Sequence, residues 1–169
     1  MSAERGPPSA DRRTLLIVYH TQFGATEQMA AAACEGARSI DEVNTVLKRA
    51  SEAGVEDLLR CDGLLVATSE NFGSLSGMVK DFFERVYYPC EEKVAGRPYT
   101  VLVCASNDGT GAMLQTDRIA TGLRLSKVHP GLVYRSGIVA GAHTVPETTL
   151  AACREIGATL AAGMAAGIY

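Results

Sequence analysis

An open parallel α/β sheet with helices packed on both faces is the fold this sequence predicts. Three observations predict it. Short, β-prone apolar runs recur along the chain, each the pattern of a strand buried on both faces. Longer stretches with apolar residues at helical spacing separate them, which argues for a sheet crossed over by helices. No internal repeat, low-complexity block or interdomain linker interrupts the alternation, and 169 residues suit a single domain.

Residues 15–19 (LLIVY) form the first strand. Residues 26–40, rich in Ala, Glu, Gln and Met, form a helix, and residues 43–47 a less apolar second strand suited to an edge. Gly54 and Gly63 bracket a short helical turn over residues 55–60. Residues 63–68 (GLLVAT) are the third strand. Residues 76–88 then place Met78, Val79, Phe82, Phe83, Val86 and Tyr87 on one helical face, with Pro89 as the expected stop. The fourth strand covers residues 99–104 (YTVLVC), a helix spans 113–127, and the fifth strand covers 132–139, broken at Gly137. Pro146 opens the last helix, which runs through the Ala-rich end. Five strands joined by right-handed crossovers suit the doubly wound order 2-1-3-4-5.

Composition bounds the function. Hydrophobic residues make up 47% and charged residues 21%, so the chain is neither disordered nor collagen-like. A net charge of −3 gives no electrostatic reason to expect nucleic acid or an anionic membrane. The apolar runs are too short to span a bilayer, and residues 1–13 lack the apolar core of a secretory signal. These residues read as a flexible tail before a domain over 14–169. The five cysteines nowhere form Cys-x-x-Cys, which with no export signal fits a reduced, cytoplasmic setting. The three histidines show no metal-ligand spacing, and no metal is expected. His143 falls after the last strand on the crevice side, within reach of a substrate or a neighbouring subunit.

Doubly wound sheets bind ligands outside the carboxyl ends of the strands, where the strand order reverses. Three loops therefore matter, over residues 20–26, 69–77 and 105–112. All are rich in Gly, Ser, Thr and Asn, and none carries Lys or Arg. In the first, Thr21 and Thr26 flank Gly24 directly before a helix, where free N–H groups and the positive dipole end can hold a phosphate. The same residues also suit a plain turn at Gly24 and a cap at Thr26. The dinucleotide fingerprint G-x-G-x-x-G is missing, and residues 73–77 (GSLSG) are neither a P-loop nor a nucleophile elbow. No pair of acids follows the first strand, which excludes a phosphoacceptor receiver.

Residues 19–27 (YHTQFGATE) resemble the phosphate loop of flavodoxins, with its Thr/Ser-x-x-Gly-x-Thr pattern. Residues 69–83 (SENFGSLSGMVKDFF) are similar to the Arg-Phe-Gly-x-x-Ser-Gly-x-Met/Leu-Lys-x-Phe segment of the tryptophan-repressor-binding-protein family of NAD(P)H:quinone oxidoreductases. Here Glu70-Asn71 stands in place of Thr-Arg. The resemblance covers residues 14–141 and implies a single-domain flavodoxin-like fold with FMN as cofactor. It assigns the phosphate to His20, Thr21, Gln22, Phe23, Gly24, Ala25 and Thr26, and the flavin slot to Ser69, Glu70, Asn71, Phe72 and Gly73. Ser106, Asn107, Asp108, Gly109 and Gly111 then face the pyrimidine edge, with the Asp108 carboxylate expected to turn outward.

No catalytic acid, base or nucleophile stands out, which suits chemistry carried by a cofactor. The resemblance implies an oxidoreductase passing electrons from NAD(P)H through FMN to a quinone-like acceptor, in a homodimer or homotetramer. Tyr87, Tyr88 and residues 161–167 are the expected apolar contacts. The alternative is a flavodoxin-type one-electron carrier, which docks basic partners through an acidic rim. The tail's three arginines outweigh Glu4 and Asp11 by one charge, so the body carries −4, yet the flavin loops contribute only Glu70 and Asp108. That thin acidic rim favours the enzyme.

Overall fold

The computed structural model describes residues 12–169. In chain order the elements are β1 (Arg13–Tyr19), α1 (Ala25–Arg38), β2 (Val43–Arg49), α2 (Val55–Arg60), β3 (Gly63–Asn71), β4 (Ser74–Leu75), α3 (Gly77–Cys90), β5 (Pro98–Ala105), α4 (Thr110–Gly122), β6 (Ser126–Lys127), β7 (Leu132–Arg135) and α5 (Glu147–Ala165). The sheet runs β2-β1-β3-β5, with β6 and β7 both on the outer edge of β5 and all of these pairs parallel. This is the expected order, with the fifth position filled by two strand pieces.

Side-chain alternation sorts each central strand into two cores. Leu16, Val18, Leu64, Val66, Val101 and Val103 pack with α2, α3 and α4 on one face. Leu15, Ile17, Leu65, Ala67 and Leu102 pack with α1 and α5 on the other. Because β1, β3 and β5 are buried on both faces, their sequences read as unbroken apolar runs.

Several boundaries differ from those expected. The fifth strand breaks at His129-Pro130-Gly131, because Pro130 has no N–H for the ladder; the Thr100 hydroxyl donates to the His129 carbonyl across the gap at 3.2 Å. Beyond Arg135, the Ser136 hydroxyl accepts from the Ile138 N–H at 3.1 Å, a local turn that carries residues 136–144 off the sheet. Pro89 lies inside the last turn of α3 rather than past it. Helix α4 starts at Thr110, earlier than its apolar spacing suggests, and ends at Gly122. Most of the tail falls outside the described residues. Arg13, counted in that tail, is the first residue of β1, and its guanidinium donates to the Met164 carbonyl at 2.7 Å. The 161–167 stretch does not present one apolar surface: Ala161, Gly163 and Met164 are buried against the body.

Candidate functional site

The carboxyl ends of β1, β3 and β5 open onto a crevice of about 500 Å³, counting the space that merges with solvent. The first loop forms one side. Gly24 caps α1 in the left-handed conformation, φ +96°, and the Thr21 hydroxyl accepts its N–H at 2.8 Å. An ideal Cβ on Gly24 would meet nothing within 4 Å. The N–H groups of Ala25, Thr26 and Glu27, next along α1, find no acceptor among the described residues. The Glu27 carboxylate turns away, accepting from the Tyr19 hydroxyl at 2.8 Å and from Arg49 at 3.1 Å. That ion pair keeps the Arg49 cation behind the loop, over the Tyr19 ring. Burial, and then Arg49, hold the His20 imidazole below its usual pKa, so it sits beside the loop as a neutral ring.

The second region is not an open loop. Beyond its last contact with β5 at Ser69, β3 continues through Asn71 and pairs antiparallel with β4, Asn71 opposite Ser74. Phe72 and Gly73 make the two-residue turn, with φ +54° and +70°, the signature of type I′. Asn or Asp normally takes the first of those positions. A phenylalanine there is strained, and its ring is fully exposed.

This hairpin is fastened to α4. The Glu70 carboxylate accepts from the Gly109 N–H at 2.9 Å through one oxygen and from the Ala112 N–H at 3.0 Å through the other. The Ser74 hydroxyl donates to Gln115 at 2.6 Å. Gly111 has no room for a side chain, since a Cβ there would overlap the Gly73 carbonyl oxygen. Glu70 thus closes the N-terminus of α4 with a carboxylate, and helix dipole and carboxylate stabilise each other. The early start of α4 follows from this cap.

Of the residues picked out from the sequence, Thr21, Gln22, Phe23, Ala25, Thr26, Ser69, Glu70, Asn71 and Ser106 line the crevice. Gly24 supplies the turn behind it. His20, Phe72, Gly73, Asn107, Asp108, Gly109 and Gly111 do not line it. The N–H of Gly109, expected to face a ligand, is taken by Glu70. Asp108 is exposed and accepts from the Thr110 hydroxyl at 2.5 Å, turned outward as expected.

Sequence reasoning missed two parts of the lining. Cys104, the last residue of the expected fourth strand, forms part of the floor, where burial pushes its thiol pKa up while the Thr26 hydroxyl opposes the shift. The opposite wall is Ser136, Ile138, Val139, Ala140, Gly141 and His143, of which only His143 was expected on the crevice side from the sequence. No lysine or arginine lines the crevice among the described residues. Its donors are hydroxyls and backbone N–H groups, suited to an anion held without a cationic side chain.

A family model described as Flavodoxin matches residues 17–134. A protein named Flavodoxin from Aquifex aeolicus is 35% identical over 97 residues, covering 57% of this chain and 50% of that protein. An NAD(P)H dehydrogenase (quinone) from Acidithiobacillus ferrooxidans is 28% identical, covering 57% of this chain and 59% of that one. The chain therefore spans between half and three-fifths of the length of these curated relatives. Among solved structures, a flavodoxin, WrbA-like protein from Agrobacterium tumefaciens superposes with a TM-score of 0.73 at 20% identity, covering 92% of this chain and 98% of that one. The last of these likenesses is one of fold.

Proposed function

The chain belongs to the flavodoxin family, and from that premise we propose that it is an enzyme passing electrons from NAD(P)H through FMN to a quinone-like acceptor. FMN is the cofactor of this family. The residues present fit it. The unpaired N–H groups at the start of α1, with open space over Gly24, suit its phosphate without a cationic side chain. Ser69, Asn71 and Ser106 bring hydroxyl and amide groups to the slot where the ring edge would lie.

Acceptance of two electrons from a nicotinamide and their delivery to a quinone is what FMN supplies when bound. The chain's own residues bind and orient. The Thr21 hydroxyl holds the Gly24 N–H and so fixes the curve of the first loop. Apolar Phe23, Ile138 and Val139 stand at the mouth, where they would screen the slot from water.

The observation that carries the enzyme over the carrier is the fastened hairpin. A one-electron carrier of this family needs the peptide at the ring edge to swing between two orientations. In this chain the Gly73 carbonyl is packed on Gly111, and Glu70 clamps the strand before the turn. The 35% identical flavodoxin favours the carrier as the second reading. Purified protein should lose its flavin colour in a single two-electron step on adding NADH or NADPH and regain it with benzoquinone. Slow reduction by both nucleotides, with dithionite removing the colour in two separate one-electron steps, would establish the carrier.

The phosphate site has its own test. Gly24→Val puts a β-branched side chain at a left-handed position and into the cradle, and should weaken FMN by about tenfold or more while riboflavin changes little. Equal affinity of the unaltered protein for FMN and riboflavin would remove the phosphate role. Assembly as a homodimer or homotetramer belongs to the same reading, because the slot is open on one side and Phe23 and Val139 at its mouth are exposed. Light scattering that returns a monomer at enzyme concentrations would overturn it.

A further inference from the structure

The crevice wall opposite the hairpin hangs from the body by its two ends. At the near end the Ser136 and Gly137 N–H groups donate to the Ala105 and Ser106 carbonyls at 2.8 and 2.7 Å. Ile138 then bonds only to Ser136, within the wall itself. Residues 139–142 and Thr144 make no hydrogen bond among the described residues. At the far end one side chain supplies the ties. Gln28, the fourth residue of α1, donates its amide Nε2 to the His143 carbonyl at 2.9 Å and to the Gly24 carbonyl at 3.3 Å. Its Oε1 accepts from the Val145 N–H at 2.9 Å. Both N–H groups and the oxygen of the amide are thus engaged, which fixes its orientation.

Gln28 is half-buried and does not itself line the crevice. Its partners belong to two different parts of the site. Gly24 begins α1, where the N–H groups stay unpaired, and His143 closes the wall that includes Ile138, Val139 and Ala140. The two partners depend on it unequally. The Gly24 carbonyl also accepts from the Gln28 backbone N–H at 3.1 Å, so the first loop keeps its shape without the side chain. The His143 carbonyl and the Val145 N–H have no other hydrogen-bond partner among the described residues.

We propose that Gln28 is a positioning residue for the flavin, its amide holding the wall over the ring slot at a set separation from the cradle at the start of α1. The inference rests on the FMN reading and adds to it a residue that touches neither phosphate nor ring. Removing the amide frees the wall from α1 and leaves the Ala25, Thr26 and Glu27 N–H groups as they were. A ligand bearing the ring is then weakened whether or not it carries the phosphate, which separates this role from that of the first loop.

The full chain, stripped of flavin, is titrated with FMN and with riboflavin alongside Gln28→Met, which keeps the length of the side chain and removes its polar atoms. Both ligands should weaken about fivefold or more, with their affinity ratio within about twofold of the parent's. At saturating FMN, amide hydrogen exchange over residues 139–145 should be about tenfold faster in Gln28→Met, while that of residues 15–18 in β1 stays unchanged; a general loss of stability would move both. Affinities within about twofold of the parent for both ligands overturn the role of Gln28 and leave the cofactor site standing. So does a loss confined to FMN, which would place Gln28 on the phosphate. A fall in affinity with exchange no faster in the wall, or faster throughout, overturns the proposal as well. A parent that binds neither flavin overturns the FMN reading and this proposal together. If Gln28→Met fails to fold, the parent decides: riboflavin should slow exchange of the Val145 N–H about tenfold, and an unchanged rate overturns the proposal.

Discussion

Two helices begin at the same crevice and are treated oppositely. Both α1 and α4 open at a glycine in the left-handed conformation, Gly24 and Gly109, and neither glycine brings a capping side chain of its own. The start of α4 is closed by the Glu70 carboxylate, which takes two of its N–H groups. The start of α1 is left open, with space above it. A helix N-terminus attracts an anion in either case. Where the protein supplies that anion itself, the result is a structural clasp, and where it does not, the result is a cradle. With α4 closed by Glu70, α1 is the one of these two helices whose first N–H groups stay unpaired among the described residues.

The sharpest way to break this contrast is to wedge the clasp. Gly111→Ala sets a methyl group against the Gly73 carbonyl, where backbone must shift, and should destabilise the fold by about 3 kcal/mol in urea unfolding. A change below about 1 kcal/mol would mean the hairpin is free to move off α4. Removing the anion is the next largest effect. Glu70→Ala strands the N–H groups of Gly109 and Ala112 and should cost about 2 kcal/mol, with Glu70→Gln losing about half as much because one oxygen acceptor survives. Released from α4, the hairpin of Glu70→Ala should also let reduction separate toward two one-electron steps. If potentiometry on that variant still gives one step, the clasp is not what favours two-electron transfer. The smallest effect runs the other way. Phe72→Asn places the preferred residue before Gly73 in a type I′ turn and should raise stability by about 1 kcal/mol. A loss of stability would show that the exposed ring makes contacts that outweigh its backbone strain. A gain accompanied by slower turnover with a quinone would mark Phe72 as kept for function.

Much of the scaffold was legible because it is written locally. The runs LLIVY, GLLVAT and YTVLVC are strands buried on both faces, and such burial leaves no polar alternation to confuse the reading. The first loop was legible as a turn at Gly24 opening α1, although the same residues suited a plain turn and cap as well as a ligand. The hairpin was not. Its turn is Phe72-Gly73 rather than Asn-Gly, and β4 is two residues long, so neither turn chemistry nor alternation marked it. The split fifth strand hid for a related reason: Pro130 was read as preceding the strand, when β6 lies on its far side.

The sequence alone determined the sheet order, the helices that cover it and the loop that begins α1, because apolar periodicity and helix-start chemistry act over a few neighbouring residues. Only the tertiary structure decided which helix end stays open. The bond from Glu70 to Gly109 spans 39 positions, and Gln28 reaches His143 across 115. Partnerships at that range form only after both cores have packed and set the strand ends side by side. A carboxylate's role then depends on which N–H groups the packing has brought within about 3 Å of it, and no local pattern carries that information.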